Sequence, residues 1–173
     1  MIFLPYRHED AVAYAHRWAY YRNPEYYDFN DLGGDCTNFA SQCIYAGTGV
    51  MNFTPTFGWY YISPDDRSPS WTGVEYLYDF LTRKTPSLGP VCINTQDLTI
   101  AEPGDVIQLR FSGEVFQHSP VVVATDQSGD PARILLAAHS NDVDYRPLDT
   151  YRFDAYRVLH ITGYYAEETG ESI

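Results

Sequence analysis

"FNDLGGDCTNFASQCIYAG", residues 29–47, places two glycines and an aspartate ahead of Cys36 and then an apolar stripe at helical spacing. Phe39, Ala40, Cys43 and Ile44 recur three and four residues apart, which predicts a helix over about 36–46, with Gly47 suited to its C-terminus. Cys36 therefore falls in the first turn. A helix start presents unpaired N–H groups and a partial positive charge, which favours the thiolate, the nucleophilic form of cysteine. Gly33 and Gly34 permit a tight approach turn and leave the thiol open. Asp35 occupies the N-cap place, where its charge partly offsets the dipole. The same N–H groups are placed to hold an oxyanion if the thiolate attacks a carbonyl. Position alone leaves a second reading open, a small buried and inert thiol.

Upstream, "HEDAVAYAHRWAYYR" (8–22) carries Ala11, Ala15 and Trp18 on one face and reads as an amphipathic helix ended by Asn23-Pro24. Downstream, residues 48–70 form a long segment rich in Pro, Gly and aromatics, a type of loop that often carries function. Thr72 is expected to cap a third helix through about Lys84, with Val74, Leu77, Phe80 and Leu81 inward. From Pro103 the period changes. "DVIQLRF", "HSPVVVATD", "RILLAAHS" and "RVLHITGYY" are short apolar runs separated by turn-rich stretches, and they read as antiparallel strands. Helices first and strands second is the α+β pattern. At 173 residues, without an interior linker or repeat, one domain over 1–173 is expected.

The formal net charge is -12, which argues against nucleic acid and against anionic membrane surfaces, since both need a basic patch. The three cysteines show no CxxC spacing. Cys36 and Cys43 stand two helical turns apart, about 10 Å between Cα atoms, too far for a disulfide. Free thiols fit a reducing compartment or a site that uses one of them. The N-terminal "MIFLPYRHED" lacks a basic region and cleavage site, so the chain as given is expected to be cytoplasmic, or exported if it is cut from a longer precursor.

A thiol nucleophile needs a base, and the base needs an orienting partner. His8 and His16 lie on the first helix and His160 within an apolar strand. His118 differs, because it stands at the mouth of the "HSPVVVATD" strand. His139 and Asn141 end the next strand, which an antiparallel ladder brings beside the start of the previous one. Cys36, His118 and one of His139 or Asn141 thus form a candidate nucleophile, base and orienter. Asp142, one residue further, is expected on the opposite face.

The run "RHEDAVAYAHRWAYYRNPEYYDFNDLGGDCTNFASQCIYAG" (7–47) resembles the opening of the Putative amidase domain family, within the papain-like NlpC/P60 and CHAP group. "EPGDVIQL" followed by "HSPVVV" is similar to that group's strand, turn and histidine order. The resemblance implies a papain-like α+β fold with N-terminal helices on a small antiparallel sheet. It implies a nucleophile at Cys36 and a base at His118, with no cofactor or metal. A tyrosine some ten residues before the nucleophile shapes the oxyanion site in the group, which points to Tyr26 or Tyr27. Where the CHAP pattern has an acidic residue two positions before an asparagine, this chain has His139 before Asn141, and the place favours His139 as orienter. The implied activity is hydrolysis of amides, in bacterial cell-wall peptides or at muramyl–peptide links.

The expected protein is therefore a cysteine amidase or peptidase acting on a peptide or peptidoglycan fragment, with Trp59, Tyr60, Tyr61 and Trp71 as candidate cleft walls. Its rivals are a non-catalytic peptide- or glycan-binding module, an acyltransferase using the same thioester, and a metal site of Cys36, His118 and His139.

Overall fold

A computed structural model describes residues 1–169; the last four residues of the expected 1–173 domain lie outside the described residues. Strand β1 (Ile2–Pro5) leads into α1 (His8–Trp18) and α2 (Cys36–Thr48). A short hairpin, β2 (Tyr61–Ser63) and β3 (Asp66–Arg67), precedes α3 (Pro69–Thr72) and α4 (Val74–Leu81). The remainder is strands: β4 (Gly89–Thr95), β5 (Val106–Arg110), β6 (Val121–Ala124), β7 (Leu135–Ala138), β8 (Val143–Pro147) and β9 (Ala155–Ala166). The class is α+β.

Seven strands form one sheet in the order β1-β9-β5-β6-β7-β8, with β4 also on β9, and every pairing is antiparallel. The twelve-residue β9 is the spine. Its C-terminal half takes β1, its N-terminal half takes β5, and β4 runs along Val158–Tyr165. Apolar runs such as "VVV" in β6 have no polar alternation because both sheet faces are covered. Val106, Val121, Val123 and Leu159 face a core shared with the helices, including Phe39, Ile44, Trp59 and Trp71. Ile107, Leu109, Val122, Leu136 and Val158 face a second core closed by Ala101, Ile134 and Leu148. Burial of a large apolar side chain is worth roughly 1.5–3 kcal/mol, so the two cores together hold the sheet from both sides.

Several boundaries differ from the sequence reading. Helix α1 stops at Trp18, not residue 22, and the Trp18 carbonyl accepts from the His139 Nε2–H and, in a tighter turn, from the Tyr21 N–H. Gly47 lies inside α2, where the Tyr6 ring leaves no room for a Cβ; Gly49, left-handed at φ 68°, ends the helix. The single third helix is two, because Gly73 is extended (φ -112°, ψ 129°) between them. Residue 72 therefore ends α3, and the position before α4 belongs to Gly73. Trp59, Tyr61 and Trp71 are core residues, Trp59 and Trp71 being fully buried 4.7 Å apart, and do not form cleft walls. The Trp59 indole N–H donates to Ser41 and that of Trp71 to Asn38, so their polar edges bind α2.

Candidate active site

Gly33 and Gly34, both at positive φ (94° and 105°), turn the chain into α2, and Cys36 is the first residue of the helix. Asp35 sits at the N-cap place but makes no side-chain cap. Its carboxylate turns inward instead, where Oδ1 accepts from the Phe29 N–H at 2.9 Å and the Asn38 amide at 2.8 Å. Oδ2 lies 2.5 Å from His139 Nδ1. The first-turn N–H groups of α2 are thus left without a side-chain acceptor.

The thiol faces the segment before β6. Cys36 Sγ lies 3.7 Å from Thr37 Oγ1 and 4.0 Å from the Gln117 carbonyl. Thr37 Oγ1 meets Ser119 Oγ at 3.1 Å, and Ser119 Oγ accepts from Gln108 of β5 at 3.2 Å, which braces the helix start against the sheet. His118 precedes β6 and is held by backbone pairing with Leu109: its carbonyl accepts from Leu109 N–H at 3.0 Å, and its N–H donates to the Leu109 carbonyl at 3.3 Å. The rings of Tyr151 and Phe111 flank its imidazole, with centroids at 5.8 and 6.1 Å.

Cys36 and His118 open into one cleft of about 710 Å³, together with Gly33, Gly34, Gln117, Asn141, Arg146 and Tyr151. Both are nearly enclosed, at 8% and 7% exposure. Burial pushes the Cys36 thiol up and the Asp35 charge adds to this, against the pull of the Thr37 hydroxyl and of the Ser119 and Thr37 backbone N–H groups. Burial, then the Arg146 charge, pushes the His118 imidazole down to about 4. The pair at rest near neutrality is thiol and neutral imidazole. Burial is the largest influence on the thiol, and it acts against the thiolate that a first-turn position favours.

His139 does not take the orienting place. Its Nε2–H donates to the Trp18 carbonyl at 2.8 Å, Nδ1 shares a hydrogen with Asp35, and the ring stacks on Phe39 at 4.1 Å. With both nitrogens engaged it neither contacts the His118 ring nor completes a Cys36–His118–His139 metal set. Asp142 forms a two-point contact with Arg22 at 2.9 and 3.0 Å. Asn141, left-handed at φ 63° and exposed, is the member of the predicted group that reaches the cleft. Among the described residues, the His118 ring accepts or donates no side-chain hydrogen bond. Tyr26 packs between Tyr61 and Trp71, the Tyr27 ring packs on Phe29, and Tyr60 packs on Phe53; none of the three lines the cleft. Arg146, Tyr151 and Arg152 do line it, and the sequence reading gave none of them a role. Two arginines and a tyrosine within seven residues of a strongly acidic chain were the available signal.

Over residues 5–162 the chain matches the family model described as Putative amidase domain. It is also similar to an uncharacterized protein of Bacillus subtilis (strain 168), YhbB, at 32% identity over 154 residues, 83% of this chain and 48% of that protein. The chain spans about half the length of this curated relative. No solved structure matches it. The family match runs unbroken from the end of β1 into β9, across every segment that lines the cleft, and the chain belongs to the Putative amidase domain family.

Proposed function

We propose that the chain is a cysteine amidase, one domain of papain-like NlpC/P60 type, hydrolysing an amide of bacterial cell-wall peptides. The observation that carries this reading is the shared cleft of Cys36, at the open end of α2, and His118, at the mouth of a sheet strand. The amidase family supports hydrolysis of an amide, and a nucleophile helix before an antiparallel sheet supports the fold type.

The neutral His118 imidazole withdraws the thiol proton as Cys36 Sγ bonds to the amide carbon. The Cys36 N–H, free at the helix start, meets the oxyanion. Imidazolium then protonates the leaving nitrogen, the C–N bond breaks, and a thioester remains. His118 next takes a proton from water, which attacks the thioester and releases the acid and the thiol. An amine in place of that water would give acyl transfer through the same intermediate. Asn141 shares the cleft with His118 and is the polar residue placed to orient the imidazole once substrate is bound, since no side-chain hydrogen bond joins the two in the free protein among the described residues.

Incubation with muropeptides from digested cell wall, read by mass spectrometry, tests the reading. Each cut amide gains one water, and Cys36→Ala abolishes the products. Cleavage that persists in Cys36→Ala overturns the cysteine mechanism, and intact muropeptides in the presence of wild-type protein overturn the substrate.

A further inference from the structure

The charge of the cleft runs against that of the molecule. The chain has 23 acidic residues to 11 basic ones, yet the cleft lining carries Arg146 and Arg152 and no carboxylate among the described residues. The described ion pairs include neither arginine. Arg146 is held by neutral groups: Nε–H donates to Thr150 Oγ1 at 2.8 Å, an Nη2–H donates to the Thr150 carbonyl at 3.1 Å, and the guanidinium lies 3.7 Å over the Tyr151 ring. Its remaining donors meet no carboxylate among the described residues, and the Tyr151 hydroxyl lies near them. Arg152 is exposed. Tyr151 supplies a third donor, because its hydroxyl is buried and has no hydrogen-bond partner among the described residues. A buried hydroxyl without a partner is costly, and a ligand acceptor relieves the cost.

We infer that Arg146, Arg152 and the Tyr151 hydroxyl form a carboxylate-binding subsite beside Cys36, so that the preferred substrate is an amide whose chain bears a carboxylate close to the scissile bond. This rests on the reading of Cys36 as nucleophile and adds the class of substrate. Guanidinium groups pair carboxylates with directional, charge-assisted hydrogen bonds. The half-enclosed cleft also screens such a pair less than open solvent does. The Arg146 charge already depresses the His118 imidazole, which sets this subsite within electrostatic reach of the base.

Two alkylating probes of equal intrinsic reactivity isolate the charge. N-iodoacetylglycine carries a carboxylate one residue beyond the carbon that sulfur attacks; N-iodoacetylglycinamide is its neutral twin. Labelling is read at Cys36 by peptide mass spectrometry, apart from Cys43 and Cys92. The anionic probe is expected to label about tenfold faster, a preference that corresponds to about 1.4 kcal/mol and that shrinks in high salt. Arg152→Gln should cut the preference several-fold, and Arg152→Glu should reverse it. Arg146→Gln, checked for folding by circular dichroism, should also reduce it. Equal rates for the two probes, or a preference that survives both glutamine variants, overturns the subsite. If neither probe labels Cys36, the nucleophile assignment falls and the subsite is decided separately, by NMR titration of Cys36→Ala with acetylglycine and acetylglycinamide. Tighter binding of acetylglycine, lost in Arg152→Gln, upholds it; indistinguishable binding overturns it.

Discussion

Behind Cys36 the cleft wall is dry and cross-braced, whereas the wall formed by residues 146–152 is anchored by buried Leu148 and leaves Asp149, Thr150 and Arg152 exposed. The first wall is α2, buried along almost its whole length, with Asp35, His139, Trp18 and Arg22 linked behind Cys36. The second is the end of β8 and a single turn from Leu148 to Thr150, where Arg146 braces only Thr150 and Tyr151. Buried polar groups fully satisfied by one another give rigidity, and partly exposed loops tolerate change. The contrast teaches a division of labour in which one wall holds the thiol in place and the other, on the inference above, is free to read the substrate.

The largest effect tests whether α2 carries the chemistry at all. Cys36→Ala removes one small group at the helix start, so turnover of muropeptides should fall by at least ~10³-fold with the thermal midpoint nearly unchanged. Residual activity near wild type would move the chemistry off this wall.

Next comes the network behind it. His139→Ala removes one partner of the buried Asp35, one of the two donors to the Trp18 carbonyl, and the ring stacked on Phe39. The expected loss is about 3 kcal/mol of folding stability, read by urea denaturation, with the rate per folded molecule changed little. A stable His139→Ala protein with a much slower rate would return His139 to the orienting role.

The pH profile separates the walls by charge. The proposed base His118 must be neutral to take a proton, and burial with the Arg146 charge lowers it to about 4. The acid limb of kcat/KM should therefore lie near pH 4, not near 6.5 as for an ordinary histidine. Arg146→Gln should shift that limb upward. Stability follows the same sign: the unfolded chain takes up this proton first, so the contribution is complete above about pH 6.5 and is lost as pH falls through the folded value. An acid limb near 6.5 would mean that His118 is wetter than the structure shows.

How much of this was legible follows the same division. Helix α2 and Cys36 could be read because local periodicity and a glycine turn determine them. His118 stood out because it opens an apolar run. Strand β4 was missed, since "GPVCINT" has no clean alternation and is flanked by turn residues; β1 is only four residues long, and β8 is polar. The role of His139 depends on long-range contacts, to Trp18 121 positions away and to Asp35 104 positions away in sequence, that no local pattern records. The cleft's second wall was invisible for a related reason. Arg146, Tyr151 and Arg152 meet Cys36 only once β7 and β8 have paired, and aromatic richness drew attention to Trp59 and Trp71, which serve the core.

The smallest expected effect concerns Asn141, on the turn that joins the two walls. Ser140 and Asn141 are both left-handed, at φ 65° and 63°. Ser140 Oγ accepts from the Asp35 N–H at 3.1 Å and so ties the turn to the nucleophile's wall. Asn141 projects from that anchored turn into the cleft. Asparagine tolerates the left-handed region better than most residues, so Asn141→Ala would add strain to the loss of the amide. Asn141→Asp and Asn141→Gly separate the two effects. If the amide orients His118, Asn141→Gly, which relieves strain but has no amide, should lose roughly tenfold in kcat with KM little changed. Asn141→Asp retains the carbonyl-type acceptor and should recover part of the rate, while raising the acid limb because its charge favours imidazolium. If Asn141→Gly is as fast as wild type, the residue only shapes the turn, and the imidazole is held by the flanking rings of Phe111 and Tyr151 alone.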